Sequence, residues 1–374
     1  MNKIFPKLLI ISFILSFTFS KNAFFYSYSN QLVEKASVSC VSTVSSLSSI
    51  SNVSYNYSLP KITFPDNLIG PEFAAKNSLK GLIVNAVNEH GEQKYFKANY
   101  IKNLGHNLHT VMIGSSHMLP VSSIDVGSDN YANLAIGGSN LQDRLDILGM
   151  LDYYNINYEH VIFEIDLPSF LDNAFSITKG EIFYEFGNRF YSKLCGDNIG
   201  TDSEIDFNSR YISNPVFDSL LINVYEESKL LDNTYYYRPD ASMIYPKRSE
   251  LFNEEHINSV YMILKQQDEM LRLSHINEES KLTVLKIMDY FKKSGKKVNL
   301  IITPRPNREF DESNMINYAI LQEVTEFANI IARTYGFKIS GSFNPHDLWL
   351  TDNEFADGFH LRGDITSRIF DFIE

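Results

Sequence analysis

Serine, histidine and aspartate, which together can form a nucleophile and its proton carriers, occur in two short segments of this sequence. The segment "TVMIGSSHM" ends a short apolar run on Ser115 and Ser116, and "DGFH" contains Asp357 and His360. A serine hydroxyl becomes a good nucleophile when an imidazole takes its proton, and a carboxylate fixes the tautomer of that imidazole. A spacing of three residues lets Asp357 and His360 point in one direction from a turn. These residues predict a catalytic triad of Ser116, His360 and Asp357.

A glycine pair follows the next predicted strand, in the segment "YANLAIGGSN". The main-chain N–H groups of Ser116 and Gly138 could stabilise the oxyanion of a tetrahedral intermediate, and glycine at position 138 lets the main chain approach a ligand closely. Asn140 comes two residues later and has two interpretations: a further oxyanion donor, or the N-cap of the following helix. The sequence predicts an oxyanion hole formed by Ser116 and Gly138, with Asn140 as a candidate third member.

Short apolar segments alternate with segments of helical periodicity from about residue 109 onward. The predicted strands are "HTVMIGS" (109–115), "YANLAIGGS" (131–139), "HVIFEIDL" (160–167), "KVNLIITP" (297–304) and "FKISGSF" (337–343). Predicted helices cover 141–154, 280–297 and a segment that ends before Gly336. This alternation predicts an α/β fold, a doubly wound, flavodoxin-like parallel sheet of five strands. Ligands bind at the carboxyl ends of such strands, where the candidate triad lies.

The chain divides into a predicted leader, an extension and one α/β domain with an insertion. Residues 1–22 are the leader, residues 23–108 a stalk and N-terminal extension, and residues 109–374 the domain, with its insertion at about 168–254. The insertion is rich in aromatic residues, as in "EIFYEFGNRFYSKL", and it interrupts the alternation of strands and helices. We expect it to form helices that cover one mouth of the sheet, either as a structural cap or as a lid that recognises substrate.

The leader has the layout of a secretory signal. Lys3 and Lys7 precede an apolar run from Leu8 to about Phe19, and small and polar residues follow that run. An uncleaved membrane anchor is the alternative, although the run is short for a span of about 20 residues. Both interpretations predict that most of the chain lies outside the cytoplasm, in the periplasm, at the cell surface or in the medium.

The composition limits the partners that the protein can have. The 374 residues carry a net charge of −12, which argues against nucleic acid as a partner because no basic face is evident. The two cysteines, Cys40 and Cys195, have no metal-ligand spacing, and the sequence leaves open whether they form a disulfide. We expect neither a metal site nor a cofactor.

The segments described above resemble motifs of the SGNH (GDSL-type) hydrolase superfamily. "IGSSH" resembles block I with Ser116 as the nucleophile, "NLAIGGS" is similar to block II with Gly138 as the oxyanion glycine, and "DGFH" matches the Asp-x-x-His of block V. The resemblance extends over residues 109–374 and implies the SGNH fold and a serine esterase or acyltransferase activity. Block III departs from the pattern, because its Gly-x-Asn-Asp run is absent and Asp166 lies near that position.

A Gly-Ser-Ser block I, a leader and a divergent block III resemble one subgroup of that superfamily, the DltD-like and alginate-type polysaccharide O-acetylation proteins of the cell envelope. This resemblance implies acyl transfer to an envelope or extracellular polysaccharide beside a membrane-bound O-acyltransferase partner. Two alternatives stay open. One is a secreted esterase of carbohydrate or lipid esters, and the other is a non-catalytic surface protein that binds its ligand on an SGNH scaffold.

Five further residues near the strand ends are candidates for substrate binding. They are Ser115, His117, Asp166, Arg305 and Arg308. Ser115 is expected to act mainly as a structural hydroxyl, and His117 to point away from the triad unless it contacts substrate. Arg305 and Arg308 follow the fourth predicted strand, where a guanidinium could bind a phosphate or a uronate.

Overall fold

The computed structural model describes most of the α/β domain and part of the segment before it. Its described residues are 70–86, 90–105, 107–171, 183–197, 205, 207, 235–245, 258, 262, 276–307, 318–363 and 365–370. The leader, most of the predicted stalk, Cys40 and Arg308 lie outside these described residues. Among the helices of the described part, none is long and apolar enough to cross a membrane.

The described elements alternate along the chain. The strands are β1 (Val84–Asn85), β2 (Asn107–Ile113), β3 (Tyr131–Asn133), β4 (Asn157–Glu164), β5 (Tyr236–Tyr237), β6 (Met243–Ile244), β7 (Lys297–Ile302) and β8 (Lys338–Gly341). The helices are α1 (Pro71–Ser78), α2 (His90–Asn103), α3 (Ser123–Val126), α4 (Leu141–Tyr153), α5 (Tyr184–Leu194), α6 (Glu278–Lys293) and α7 (Tyr318–Tyr335). Short 3₁₀ turns include Ser116–Met118 after β2 and Leu167–Phe170 after β4.

Five parallel strands form the main sheet, in the order β3-β2-β4-β7-β8. Within this sheet the chain order is 2-1-3-4-5, so the predicted α/β class and flavodoxin-like parallel sheet are confirmed. The central strands are continuous apolar runs because helices cover both faces of the sheet, and Val111, Val161 and Leu300 are completely buried. β3 is shorter than predicted: it ends at Asn133, and the rest of that segment forms the loop that carries the glycine pair.

Side-chain caps and a terminal glycine set the ends of the main helices. The Asn140 side chain accepts a hydrogen bond from the N–H of Asp143 at 3.2 Å, and α4 begins there. Asn277 caps α6 in the same way, accepting from the N–H of Ser280 at 3.1 Å. α7 ends before Gly336, whose φ of 69° suits glycine. The three helices predicted from the sequence are confirmed.

Helix α2 belongs to the folded domain, although the sequence predicted the domain boundary at residue 109. Lys94 on α2 is almost fully buried and forms ion pairs with Asp143 and Asp146 on α4, at 2.6 and 2.5 Å. A buried ammonium is stable when carboxylates compensate its charge, so these pairs attach α2 firmly to α4. The folded domain therefore begins before residue 109.

The described part of the insertion contains strands as well as a helix. α5 packs so closely on α4 that a Cβ at Gly149 would collide with the carbonyl oxygen of Phe186, and Cys195 at the end of α5 is disulfide-bonded. β5 and β6 form a small antiparallel sheet with β1, in which Tyr237 stacks on Phe96 with ring centroids 3.7 Å apart. The expectation that the insertion forms helices is confirmed for α5 and is wrong for β5 and β6. In β5 the consecutive residues Tyr236 and Tyr237 favour an extended strand, and both are buried.

Candidate active site

Ser116, His360 and Asp357 form a continuous hydrogen-bonded chain at the carboxyl edge of the sheet. Nε2 of His360 lies 2.7 Å from Oγ of Ser116, and Nδ1 lies 2.7 Å from Oδ2 of Asp357. The serine begins the 3₁₀ turn after β2, while the histidine and the aspartate come from a loop after β8. The structure thus brings the three predicted triad residues together, in an arrangement that can transfer a proton from the hydroxyl to the imidazole.

A short turn holds the aspartate and the histidine in place. Oδ1 of Asp357 accepts hydrogen bonds from the N–H groups of Phe359 and His360 at 2.9 and 2.7 Å. An antiparallel bridge between Phe355 and Leu361, the residues on either side of the turn, holds its two ends together. An aspartate that bonds the main chain two and three residues later favours this kind of turn, which explains how a spacing of three directs both side chains to one point.

The environment of Asp357 keeps its carboxylate ionised. Burial acts to raise the pKa of this group, but the side-chain hydrogen bond and electrostatic interaction with His360, together with the main-chain N–H donors of His360 and Phe359, outweigh burial and hold the pKa well below its usual range. At neutral pH a carboxylate therefore faces Nδ1 of His360, which leaves Nε2 as the proton acceptor for Ser116.

The main-chain N–H groups of Ser116 and Gly138 are the predicted oxyanion donors. Among the described residues, neither Ser116 nor Gly138 donates its main-chain N–H to another group. The loop of Gly138 is tethered to the nucleophile turn, because the N–H of Ile136 donates to the carbonyl of Gly114 at 3.0 Å. Gly138 has a φ of 68°, a left-handed backbone conformation that favours glycine at this position. Space is not the reason, because an added Cβ would meet no atom within 4 Å. The oxyanion hole formed by Ser116 and Gly138 stays a prediction.

Asn140 serves as a helix cap. Its side-chain oxygen accepts from the N–H of Asp143, and its own N–H donates to the Asp143 carboxylate at 3.0 Å. This reciprocal pair is a capping box. Of the two interpretations of Asn140, the structure supports the cap and gives no support to the third oxyanion donor.

His117 lies beside the triad instead of pointing away from it. Its ring is 5.2 Å from that of His360 and 4.6 Å from that of Phe359. Nδ1 lies 3.2 Å from Oγ of Ser115, which is itself buried and acts as a structural hydroxyl. Burial lowers the pKa of His117 well below its usual range, and the charges of His360 and Arg305 lower it further. His117 is therefore a neutral imidazole next to that of His360.

Glu164, which the sequence analysis missed, lies completely buried beneath the turn that carries Ser116. Its Oε2 accepts from the N–H of Ser115 at 2.5 Å, and its Oε1 accepts from the hydroxyl of Thr303 at 2.8 Å. Burial, with the nearby charge of Asp166, raises the pKa of Glu164 to about 7. A glutamate inside the apolar run "HVIFEIDL" was the available signal, because a carboxylate in a strand covered on both faces must have internal partners.

Asp166 is a structural residue, so its expected contact with substrate is not supported. Its Oδ1 accepts from the hydroxyl of Ser169 at 2.6 Å and caps the 3₁₀ turn after β4. Its Oδ2 lies 2.6 Å from the guanidinium of the buried Arg144. Only 3% of Asp166 is exposed, which leaves no open carboxylate for a ligand.

Arg305 and Tyr245 line the region around the triad loop. The guanidinium of Arg305 lies 5.9 Å from the ring centroid of Phe359, and Arg308 lies outside the described residues. Tyr245, another residue that the sequence analysis missed, follows β6 and donates its hydroxyl to the carbonyl of Ser116 at 2.9 Å. Anion binding by Arg305 stays a prediction, whereas Tyr245 shows that the insertion reaches the site.

Comparisons of the chain with protein-family models, curated proteins and solved structures found no match. In the part of the chain that the structure describes, no group of three or more histidine, cysteine, aspartate or glutamate side chains could hold a metal ion. Membership of the SGNH superfamily therefore stays a proposal, supported by the motifs and by the geometry of Ser116, His360 and Asp357.

Proposed function

We propose that this protein is an SGNH-type serine enzyme that acts on a cell-envelope or extracellular polysaccharide. It either transfers acyl groups to the polysaccharide, as an O-acyltransferase, or removes them, as an esterase. The observation that carries the proposal is the chain of 2.7 Å contacts from Ser116 through His360 to Asp357. A serine used only as a turn residue has no need of an imidazole at its hydroxyl, and that imidazole has no need of an ionised carboxylate behind it. The complete chain also argues against a binding scaffold that has lost its catalytic residues.

Formation of the acyl-enzyme follows from these contacts. Oγ of Ser116 attacks the carbonyl carbon of an acyl ester or thioester while its proton passes to Nε2 of His360. The oxygen of the tetrahedral intermediate takes the negative charge, which the N–H groups of Ser116 and Gly138 stabilise by several kcal/mol when they are preorganised. The bond to the leaving group then breaks, and that group takes the proton from His360.

Release of the acyl group repeats these steps in reverse with a new nucleophile. A hydroxyl of a sugar, or of water, gives its proton to His360 and attacks the acyl carbon on Ser116. The intermediate collapses, Ser116 regains a proton from His360, and the acyl group leaves on the acceptor. The ring of Phe359 is partly exposed and lies 4.9 Å from that of His360, a position suited to packing against a sugar face.

We propose further that the enzyme works outside the cytoplasm, beside a membrane-bound O-acyltransferase that supplies or accepts the acyl group. Two features support this location. The leader resembles an export signal or anchor, and Cys195 is disulfide-bonded, which is typical of oxidising compartments.

Intact-mass measurement tests the activity directly. The wild-type protein and Ser116→Ala are each incubated with a fluorophosphonate probe or with p-nitrophenyl acetate. We expect a single adduct on the wild type and none on the variant, since only an activated serine reacts quickly with either reagent. An equal adduct on both proteins would place the reaction elsewhere, and a wild type that stays unmodified would contradict the proposal.

A second experiment separates transfer from hydrolysis. The acyl-enzyme is mixed with a soluble oligosaccharide acceptor, and both free acid and acylated sugar are quantified by mass spectrometry. Transfer predicts acylated sugar in excess over free acid at millimolar acceptor. Free acid alone, with turnover of acetylated glycan in the absence of any partner, would identify a plain esterase.

A further inference from the structure

The peptide group between Gly114 and Ser115 is hydrogen-bonded at both of its ends to elements that flank the nucleophile. Its carbonyl oxygen accepts from the N–H of Ile136 and from Oγ of Ser139, both at 3.0 Å. Its N–H donates to Oε2 of Glu164 at 2.5 Å. This one peptide group therefore joins the end of β2 to the glycine loop after β3 and to the end of β4.

The surroundings of this peptide group are closely packed and dry. A Cβ at Gly114 would lie 2.7 Å from Oε2 of Glu164 and 2.8 Å from Cγ of Met118. Ser139 and Glu164 are buried, with exposed fractions of 2% and 0%, so water cannot replace either partner. A lost hydrogen bond here would leave a buried polar group unpaired, and the peptide plane would turn to find another partner.

We propose that Glu164 and Ser139 are positioning residues. Through the Gly114–Ser115 peptide group they fix the position of Ser116 relative to the glycine loop after β3, which carries Gly138. The inference rests on the proposed acyl-transfer function. Ser116 is the next residue after Ser115, whose N–H belongs to this peptide group, and Gly138 directly precedes Ser139. A rotation of the peptide plane would therefore shift the nucleophile relative to His360 and to the oxyanion donor, and a displacement of about 1 Å can cost about 10²-fold in rate.

Glu164 acts here as a hydrogen-bond acceptor, so its charge is not essential. The other charged or titratable groups that face it are Arg144, Asp166 and His117. When Glu164 takes a proton on Oε1, the hydroxyl of Thr303 can accept from that oxygen instead of donating to it, and Oε2 still accepts from the peptide N–H. Glutamine can form the same two bonds, whereas leucine can form neither.

Four variants test this role by the kinetics of p-nitrophenyl acetate turnover and by the rate of fluorophosphonate labelling. Glu164→Leu should lower kcat by about 10²-fold with little change in KM. Ser139→Ala should lower it by about tenfold, because one of the two bonds to the carbonyl remains. Glu164→Gln should stay within about threefold of the wild type, since it restores the acceptor. Thr325→Val is the matched control, because it removes a hydroxyl that bonds a main-chain carbonyl, that of Leu321, within α7 and leaves the peptide group untouched; its kcat should be unchanged within about threefold.

The outcomes separate this inference from the proposed function. A wild type that labels at Ser116 while Glu164→Leu and Ser139→Ala label at the same rate would overturn the positioning role and leave the function standing. A loss in Glu164→Gln as large as in Glu164→Leu would assign the effect to charge and also overturn it. A wild type that does not label would overturn both proposals. If Glu164→Leu fails to fold by circular dichroism, Ser139→Ala decides the question: a loss of about tenfold supports the positioning role, and a labelling rate equal to that of the wild type overturns it.

Discussion

The hydroxyl of Tyr245 donates a hydrogen bond to the main-chain carbonyl of Ser116 at 2.9 Å. This bond connects the small sheet of the insertion to the nucleophile turn, and the Tyr245 ring lies 6.2 Å from that of His360. Burial raises the pKa of the phenol well above its usual range, so the hydroxyl stays a donor at every pH at which the enzyme would work. The insertion is therefore part of the wall of the candidate site.

Tyr245→Phe removes this donor and keeps the ring. We expect kcat for p-nitrophenyl acetate to fall by about three- to tenfold with an unchanged KM, because the nucleophile turn loses one restraint while its chemistry is intact. Tyr335→Phe is a matched control, since its hydroxyl also donates to a main-chain carbonyl, that of Leu285, but between α7 and α6. Steady-state kinetics that change equally in both variants would contradict a specific role for Tyr245.

Asp357→Asn should abolish most of the activity without unfolding the protein. An amide has no negative charge to stabilise the imidazolium of His360 and can hold the wrong tautomer of the ring, so we expect kcat to fall by about 10³- to 10⁴-fold. Labelling of Ser116 by a fluorophosphonate should slow by a similar factor. A variant that keeps a tenth of the wild-type rate would show that Asp357 does not orient His360.

The same substitution should change how stability depends on pH. The folded-state pKa of Asp357 is depressed, so its ionisation contributes stability that is present above the unfolded pKa of about 4 and is lost as the pH falls through the lower folded value. The difference in free energy of unfolding between wild type and Asp357→Asn should be constant above about pH 5 and should shrink below about pH 4. Urea unfolding at four pH values measures it, and a difference that persists unchanged at pH 3 would contradict the depressed pKa.

Gly114→Ala should damage the site because there is no room for a side chain at this position. Its Cβ would lie 2.7 Å from Oε2 of Glu164, closer than real contacts allow. We expect a loss of about 1–3 kcal/mol in the free energy of unfolding and at least a tenfold loss in kcat. Gly105→Ala is the control: it meets no atom within 4 Å, and its stability and kinetics should match the wild type. Wild-type kinetics in Gly114→Ala would show that the turn can shift to accommodate the added Cβ without a loss of activity.

The sheet and the triad were predictable from the sequence because each depends on a local pattern. A continuous apolar run such as "KVNLIITP" predicts a buried strand, and "DGFH" folds into a turn through the main-chain bonds of its own Asp357. The parallel sheet then brings its strand ends together at one edge. Local pattern and chain topology were therefore enough to place Ser116 near His360.

Glu164, Tyr245 and the burial of α2 could not be predicted in this way, because each depends on partners far along the chain. The hydrogen bond from Tyr245 reaches a residue 129 positions away, and Lys94 pairs with carboxylates about 50 positions later. His117 was misplaced for a related reason, since the packing of Phe359 against its ring decides its direction. Side-chain contacts between distant segments leave no periodic signal in the sequence.

Lys97 gives a prediction about folding that is independent of catalysis. Its ammonium is completely buried, donates to the carbonyls of Asn133 and Ala241 at 2.6 and 2.5 Å, and lies 5.4 Å from the ring centroid of Tyr237. Burial lowers the pKa of this lysine to about 7, although the charge of Asp240 opposes the shift. Between about pH 7 and 10.5 the unfolded chain therefore binds more protons than the folded protein, and the free energy of unfolding should rise with pH.

Lys97→Met removes this dependence together with the two hydrogen bonds. We expect the variant to be less stable than the wild type by about 1–3 kcal/mol at pH 7, because two buried carbonyls lose their donor. The deficit should grow as the pH rises to 10, since only the wild type gains stability in that interval. Urea unfolding of both proteins at pH 7, 8.5 and 10 measures it, with the exposed Lys293→Met as the control whose difference from wild type stays near zero. A deficit that is the same at all three pH values would mean that Lys97 keeps its ordinary pKa and that its burial is relieved by water or by local opening of β5 and β6.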